Sequence, residues 1–281
     1  MWWDERRPGG RLKSLLFLTH PGPSVLVTAT FVAVAWMAAG HAPGPGRFVQ
    51  LVFLMLPIQF AIGVANDLCG LPADRAAKAY KPLVRGAVDR RLAAVLAVVL
   101  AVGGLVSAAT ISWTVWGFAL GGLVAGLTYD AGLARTPLSV VPWWAAFVFL
   151  PLAAFAAAGR ATPWAAVLVP LSGLLAVSLQ LANGLPDIDA DRRAGSRSLP
   201  VLLGARRCRV LASASLAAAA IVAVDVAGPI GQRVVVVAAG AAVALVASGS
   251  APWVGQARLF PILAPAAAVL AVTWLAVLPA G

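Results

Sequence analysis

The sequence predicts an all-helical integral membrane protein with nine transmembrane spans, and three observations carry that prediction. Of its 281 residues, 61% are hydrophobic and 11% charged, whereas a soluble domain is about half apolar and roughly a quarter charged. The apolar residues gather in runs of about 20, the length that crosses a bilayer as a helix, without the alternation of a membrane barrel. The charges are confined to the connections between the runs.

In order, the runs place spans at about 24–40, 48–65, 92–110, 113–129, 138–158, 163–185, 209–227, 233–249 and 259–279. The first follows Arg6, Arg7, Arg11 and Lys13 and ends in Ala38-Ala39-Gly40. Signal peptides share that layout, but with so many spans downstream it reads as an uncleaved first helix. The joints at Ser112 and Gly159 are tight. Ala and Gly are abundant throughout, which suits close packing of helices in lipid. No connection is long enough for a soluble domain, so residues 1–281 read as one transmembrane domain.

The net charge of +11 would suit a nucleic-acid binder if the cations formed a patch. They stand instead in short segments beside apolar runs, which is an orientation signal. With the amino terminus inside, 18 of the 21 Lys and Arg fall on the cytoplasmic side, leaving Arg47, Arg160 and Arg233 outside. That bias predicts a multi-pass cell-membrane protein with a cytoplasmic amino terminus. Trp113, Trp116 and Trp164 then lie near the outer boundary, where tryptophan is favoured. Cys69 and Cys208 read as free thiols, without metal-ligand spacing to other Cys or His.

Two connections carry the chemistry. The first offers Asn66, Asp67, Asp74, Lys78, Lys81 and Arg85 after an apolar run; the second offers Asn183, Asp187, Asp189, Asp191, Arg192, Arg193 and Arg197. On a helix or its extension, Asp67 and Asp74 are seven apart, and Asn183, Asp187 and Asp191 are four and four apart, so each set shares a face. Asp189 falls on the wrong face. Oxygen ligands without His or thiolate select a hard ion, magnesium before zinc, and magnesium prefers to share carboxylates with phosphate oxygens. Lys78, Lys81, Arg85 and Arg197 suit the remaining phosphate oxygens. The inference is a Mg²⁺–diphosphate site at the cytoplasmic mouth of the bundle. Asp130 either lines that site or pairs with Arg135. Transport fits less well, because transporters place ionisable groups near mid-membrane and here the acids crowd at helix ends.

The first cluster resembles the N-D-x-x-D-x-x-x-D motif of the UbiA family of membrane prenyltransferases. Asn66, Asp67 and Asp74 match, Gly70 stands where the middle Asp is expected, and Lys81-Pro82-Leu83 with Arg85-Gly86 continues the pattern. Asn183-Gly184-Leu185-Pro186-Asp187 through Asp191, Gly195, Arg197, Ser198-Leu199-Pro200 and Leu203-Gly204 is similar to the family's second Asp motif and its tail. Tyr129 with Arg135-Thr136-Pro137-Leu138-Ser139 resembles the stretch between them, and His20-Pro21 stands where many members have Arg-Pro. His20 otherwise reads as a helix-start residue.

The resemblance implies nine helices around a central cavity, capped by two cytoplasmic Asp-motif loops. It implies a Mg²⁺ cofactor and transfer of a prenyl group from an isoprenyl diphosphate to a hydrophobic, often aromatic, acceptor within the lipid bilayer. Asp67, Asp74, Asp187 and Asp191 would be the catalytic, metal-binding carboxylates. Asn66, Lys78, Lys81, Arg85, Tyr129, Arg135, Asn183 and Arg197 would bind substrate, with Tyr129 the candidate aromatic face for a carbocation. Gly70 removes one ligand, so either Asp67 substitutes or one metal rests on Asp187 and Asp191 alone. The alternative on the same fold is a terpene cyclase that needs no acceptor.

Overall fold

The computed structural model describes residues 10–160, 165–227, 234–242 and 255–277. Among them there are helices and turns and no strand. The long helices are α2 (Pro21–Ala39), α3 (Pro45–Ala77), α4 (Arg90–Ile111), α5 (Trp113–Ala131), α6 (Val140–Ala157), α7 (Ala165–Gly184), α10 (Ala205–Val226) and α12 (Gln256–Val277). Short helices α1 (Arg11–Leu18), α8 (Ile188–Arg193) and α9 (Leu199–Leu203) join them, and residues 234–242 form α11.

Seven of these helices are long and apolar enough to cross a membrane. The nineteen-residue α5 is a helix where a span was expected, but Trp, Gly, Thr, Tyr and Asp dilute its apolar character. Part of the expected span 233–249 lies outside the described residues, as do Trp164 and the end of span 259–279. Val95, Val98, Val102 and Val106 recur at helical spacing on α4 and are each more than half exposed. A soluble protein rarely leaves such a stripe uncovered. In lipid it needs no cover, and the chain is an integral membrane protein.

Local sequence explains most helix ends. Pro21 and Pro45 occupy first-turn positions, where a missing N–H costs nothing, and Asp89 caps α4 by accepting from the backbone N–H of Arg91 and Leu92. Ser112 both ends α4 and caps α5 through the N–H of Val115, so the tight joint expected there is a cap-to-cap junction. Gly40 closes α2 at φ 76°, a left-handed conformation natural to glycine.

α3 departs from the expected boundary. Its membrane span was expected to end at residue 65; the helix runs 33 residues to Ala77, past Pro72, so Asp67 and Asp74 stand on its extension. At 1.5 Å per residue that is about 50 Å, well beyond a bilayer core of about 30 Å. The first Asp motif is therefore the projecting end of a helix. α3 packs mainly on α4 and α5 on α6, while α7 packs on α10. A Cβ on Gly104 of α4 would come 2.8 Å from the Leu54 carbonyl oxygen, so the α3–α4 approach requires glycine there.

Six helices (α2, α3, α5, α6, α7 and α12) enclose a cavity of about 430 Å³. Its wall is mostly apolar, with Phe118, Trp143, Phe147, Phe149, Phe260 and Trp274 among the lining residues. α4 backs α3 and α10 backs α7 on the side away from it.

Candidate active site

Because α3 continues as a helix, Asn66, Asp67, Gly70 and Asp74 descend one side of it in successive turns. Asp67 is 2% exposed and Asp74 7%. Burying two carboxylates is costly unless each is paired, and Lys81 pairs both. Its Nζ donates to Asp67 Oδ1 and to Asp74 Oδ2, each at 2.7 Å. Burial alone would lower the Lys81 pKa, but the two carboxylates outweigh it and hold the ammonium above its usual value. Lys81 reaches back because the chain turns directly after α3, with the Lys81 N–H donating to the Lys78 carbonyl.

The second motif is built differently. α7 ends at Gly184, a 3₁₀ turn spans Leu185–Asp187, and α8 carries Asp189 and Asp191. Pro186 favours that change of helix type, so the four-and-four spacing does not lie on one continuous α-helix. A Cβ on Gly184 would come 2.6 Å from the Pro200 ring, which presses the end of α7 against the start of α9. Asp187 and Asp191 are half-buried. Asp189 points outward and pairs with Arg192 at 3.1 Å, its side chain 78% exposed.

Lys78 joins the two motifs. Its ammonium lies 3.9 Å from Asp74 Oδ1 and 3.5 Å from Asp187 Oδ2. Asp191 is within electrostatic reach of Asp187, Lys78 and Arg135. The backbone N–H of Arg197 donates to the Arg135 carbonyl at 2.9 Å, so the middle stretch and the second motif's tail are also in contact. Asn66 and Asn183, the first residues of the two motifs, both line the cavity. Tyr129 lines it too and meets Trp143 edge-on at 6.0 Å, with Phe147 and Phe260 beyond. Arg85 turns elsewhere: its guanidinium donates to Ser14 of α1 at 3.4 Å.

Three participants carried no decisive local signal. His20 has left-handed backbone (φ 49°) before Pro21, lines the cavity, and places Nε2 3.0 Å from Asp67 Oδ1. Asp130 accepts from Asn66 Nδ2 at 2.7 Å; among the described residues it makes no ion pair with Arg135. Ser139, fully buried, accepts from Gln180 Nε2 at 3.1 Å and from the Leu199 N–H at 3.2 Å. It thereby ties α6, α7 and α9 together. These partners lie 41 to 64 residues apart, beyond any helical periodicity.

No ready-made cluster of three or more His, Cys, Asp or Glu stands among the described residues. What stands between the carboxylates is lysine: a positive charge already sits between Asp74 and Asp187. The donor set of Asp74, Asp187, Asp191 and Asn183 is all oxygen, which fits a hard divalent ion. Asp67 is engaged by Lys81 and His20, and Asp74 by Lys81 and Lys78.

Comparison with known proteins agrees with this architecture. A digeranylgeranylglyceryl phosphate synthase from Thermococcus gammatolerans is 30% identical over 214 residues, covering 72% of this chain and 73% of that protein. Among solved structures, a UbiA homologue from Aeropyrum pernix superposes with TM-score 0.72 at 20% identity, covering 88% of this chain and 95% of that one. A homologue from Archaeoglobus fulgidus bound to GPP and Mg²⁺ superposes with TM-score 0.69 at 18% identity, covering 92% and 99%. The UbiA prenyltransferase family profile matches residues 25–278; the chain belongs to that family and is a prenyltransferase.

Proposed function

We propose that the chain is a Mg²⁺-dependent intramembrane enzyme that binds an isoprenyl diphosphate where the two motifs meet, passes the prenyl group to an apolar acceptor and releases pyrophosphate. The Lys78 bridge carries the reading: it draws Asp74 and Asp187 together at the end of a cavity lined by Asn66 and Asn183. Asp74, Asp187 and Asp191 are the residues that would hold the ion, and Asp67 keeps Lys81 in place. A bound magnesium ion would supply charge neutralisation for the departing diphosphate. The Lys78 and Lys81 ammoniums, with Arg197 and Arg135 nearby, stabilise the same charge through hydrogen bonds to phosphate oxygens. The apolar wall keeps water from the allylic cation, and the rings of Tyr129 and Trp143 offer it π faces.

The GPP and DMAPP complexes of the A. fulgidus homologue support this donor class. The relatives' name, digeranylgeranylglyceryl phosphate synthase, supports a glyceryl hydroxyl as acceptor as readily as an aromatic ring. The test is to incubate the bilayer-embedded protein with a panel of prenyl diphosphates, with and without Mg²⁺ and acceptor. Pyrophosphate release that needs the ion and disappears in Asp187→Ala is expected. No release from any donor would overturn the reading, and a cyclic hydrocarbon formed without acceptor would replace transfer by cyclisation.

A further inference from the structure

Among the described residues, the cavity wall holds one buried side-chain acceptor without a partner, and it lies at the motif end. Asp130 is the next-to-last residue of α5 and lines the cavity. Its Oδ1 is occupied by Asn66 Nδ2 at 2.7 Å, whereas its Oδ2 is buried and has no partner. Burying a carboxylate oxygen without a donor is costly, far more so than leaving it in water. Of the other polar groups of the wall, the hydroxyls of Ser24, Thr30 and Ser172 donate to the carbonyls of Thr19, Leu26 and Phe147, and Asn183 at the same end is exposed rather than buried. Trp274 Nε1 is also unpartnered, but it is a donor. It lies fourteen residues along α12 from Phe260, about 21 Å by helical rise. Phe260 marks the motif end, because it packs on Trp143 and Trp143 packs on Tyr129.

We infer that Asp130 is the acceptor-binding carboxylate of the cavity: Oδ2 takes a hydrogen bond from a hydroxyl or N–H on an apolar acceptor and holds that group beside the diphosphate end. The inference rests on the proposed transfer reaction and deepens it by naming the acceptor's chemical class. Asn66 links the two halves of the site, since it opens the first motif and also orients Asp130. An acceptor bonded to Oδ2 has its nucleophilic atom at the same end of the cavity as the Lys78 and Lys81 ammoniums. A cyclisation, with no donor group to bring, leaves Oδ2 unpaired.

The test compares 2-naphthol with 2-methoxynaphthalene, its methyl ether, by equilibrium dialysis against full-length protein in nanodiscs, with empty nanodiscs subtracted. The wild type should bind the naphthol about tenfold more tightly, the value of a hydrogen bond to a charged group. Asp130→Asn keeps an oxygen for Asn66 but replaces Oδ2 with a donor, and should bring the two affinities within about twofold. Equal wild-type affinities, no binding of either probe, or discrimination unchanged in the variant would each overturn the inference. Binding of geranyl diphosphate with Mg²⁺ is measured alongside. Its retention in the variant shows an intact fold and donor site, and its absence from the wild type would instead count against the proposed transfer.

Discussion

The two Asp motifs have similar composition and opposite construction. The first is the end of a continuous helix, with Asp67 and Asp74 nearly sealed from solvent and clamped by one lysine. The second follows a break in helix type, its Asp187 side chain 48% exposed and paired with Lys78 from across the site. Buried, mutually paired charges hold a geometry at the expense of freedom to rearrange, whereas exposed carboxylates cost little to leave free and can be recruited by a ligand. On the proposed function, the difference gives scaffolding mainly to the first motif and ligand capture mainly to the second.

The largest expected effect breaks the second half of that comparison. Asp187→Ala should lower Mg²⁺-dependent pyrophosphate release by about 100-fold or more while changing unfolding free energy by no more than about 0.5 kcal/mol. A comparable loss of stability would show that the second motif is scaffold too. The mirror-image variant is Lys81→Met, which strands the buried Asp67 and Asp74 and should cost about 3–5 kcal/mol in denaturant unfolding. The pH dependence follows from the same pair. The Lys81 pKa is raised in the fold, so its stabilisation is complete below the unfolded value near 10.5 and is lost as pH rises through the folded value. The stability gap between wild type and Lys81→Met should accordingly close in strongly alkaline buffer.

Gly70→Asp sharpens the comparison at intermediate size. A Cβ at Gly70 comes 3.1 Å from Asp74 Oδ2, so the new carboxylate joins the cluster that Lys81 and Lys78 now neutralise. Like charges at that range favour a divalent ion. The Mg²⁺ concentration for half-maximal pyrophosphate release should fall by about threefold or more, and metal-free stability should drop. An unchanged Mg²⁺ requirement would mean the first motif does not share the ion. The smallest effect is Asp189→Asn, which removes an exposed pair with Arg192 and should leave both unfolding and pyrophosphate release within assay error.

Much of this could be read before any coordinates. Runs of about 20 apolar residues require helices, because lipid offers backbone groups no other partner, and the acidic–basic clusters marked where chemistry would gather. The expected span stopped at residue 65, where polar residues begin, and the helical spacing of Asp67 and Asp74 already suited its extension. A helix projecting past the bilayer is free to be polar. Arg85 was expected at the phosphate on its motif position, and its guanidinium donates to Ser14 of α1; nothing near Arg85 in sequence announces that partner. Of the two readings of Asp130, the structure places it on the cavity wall, bonded to Asn66.

By itself the sequence determined that the chain is built of apolar helices of membrane length and which residue types could meet a diphosphate, because hydropathy and charge act on each segment separately. Only the tertiary structure decided that Lys81 closes the first motif, that Lys78 spans to the second, and that Ser139 and His20 brace them. Those outcomes depend on how helices far apart in the chain pack together, and a contact between distant residues leaves no period in the sequence.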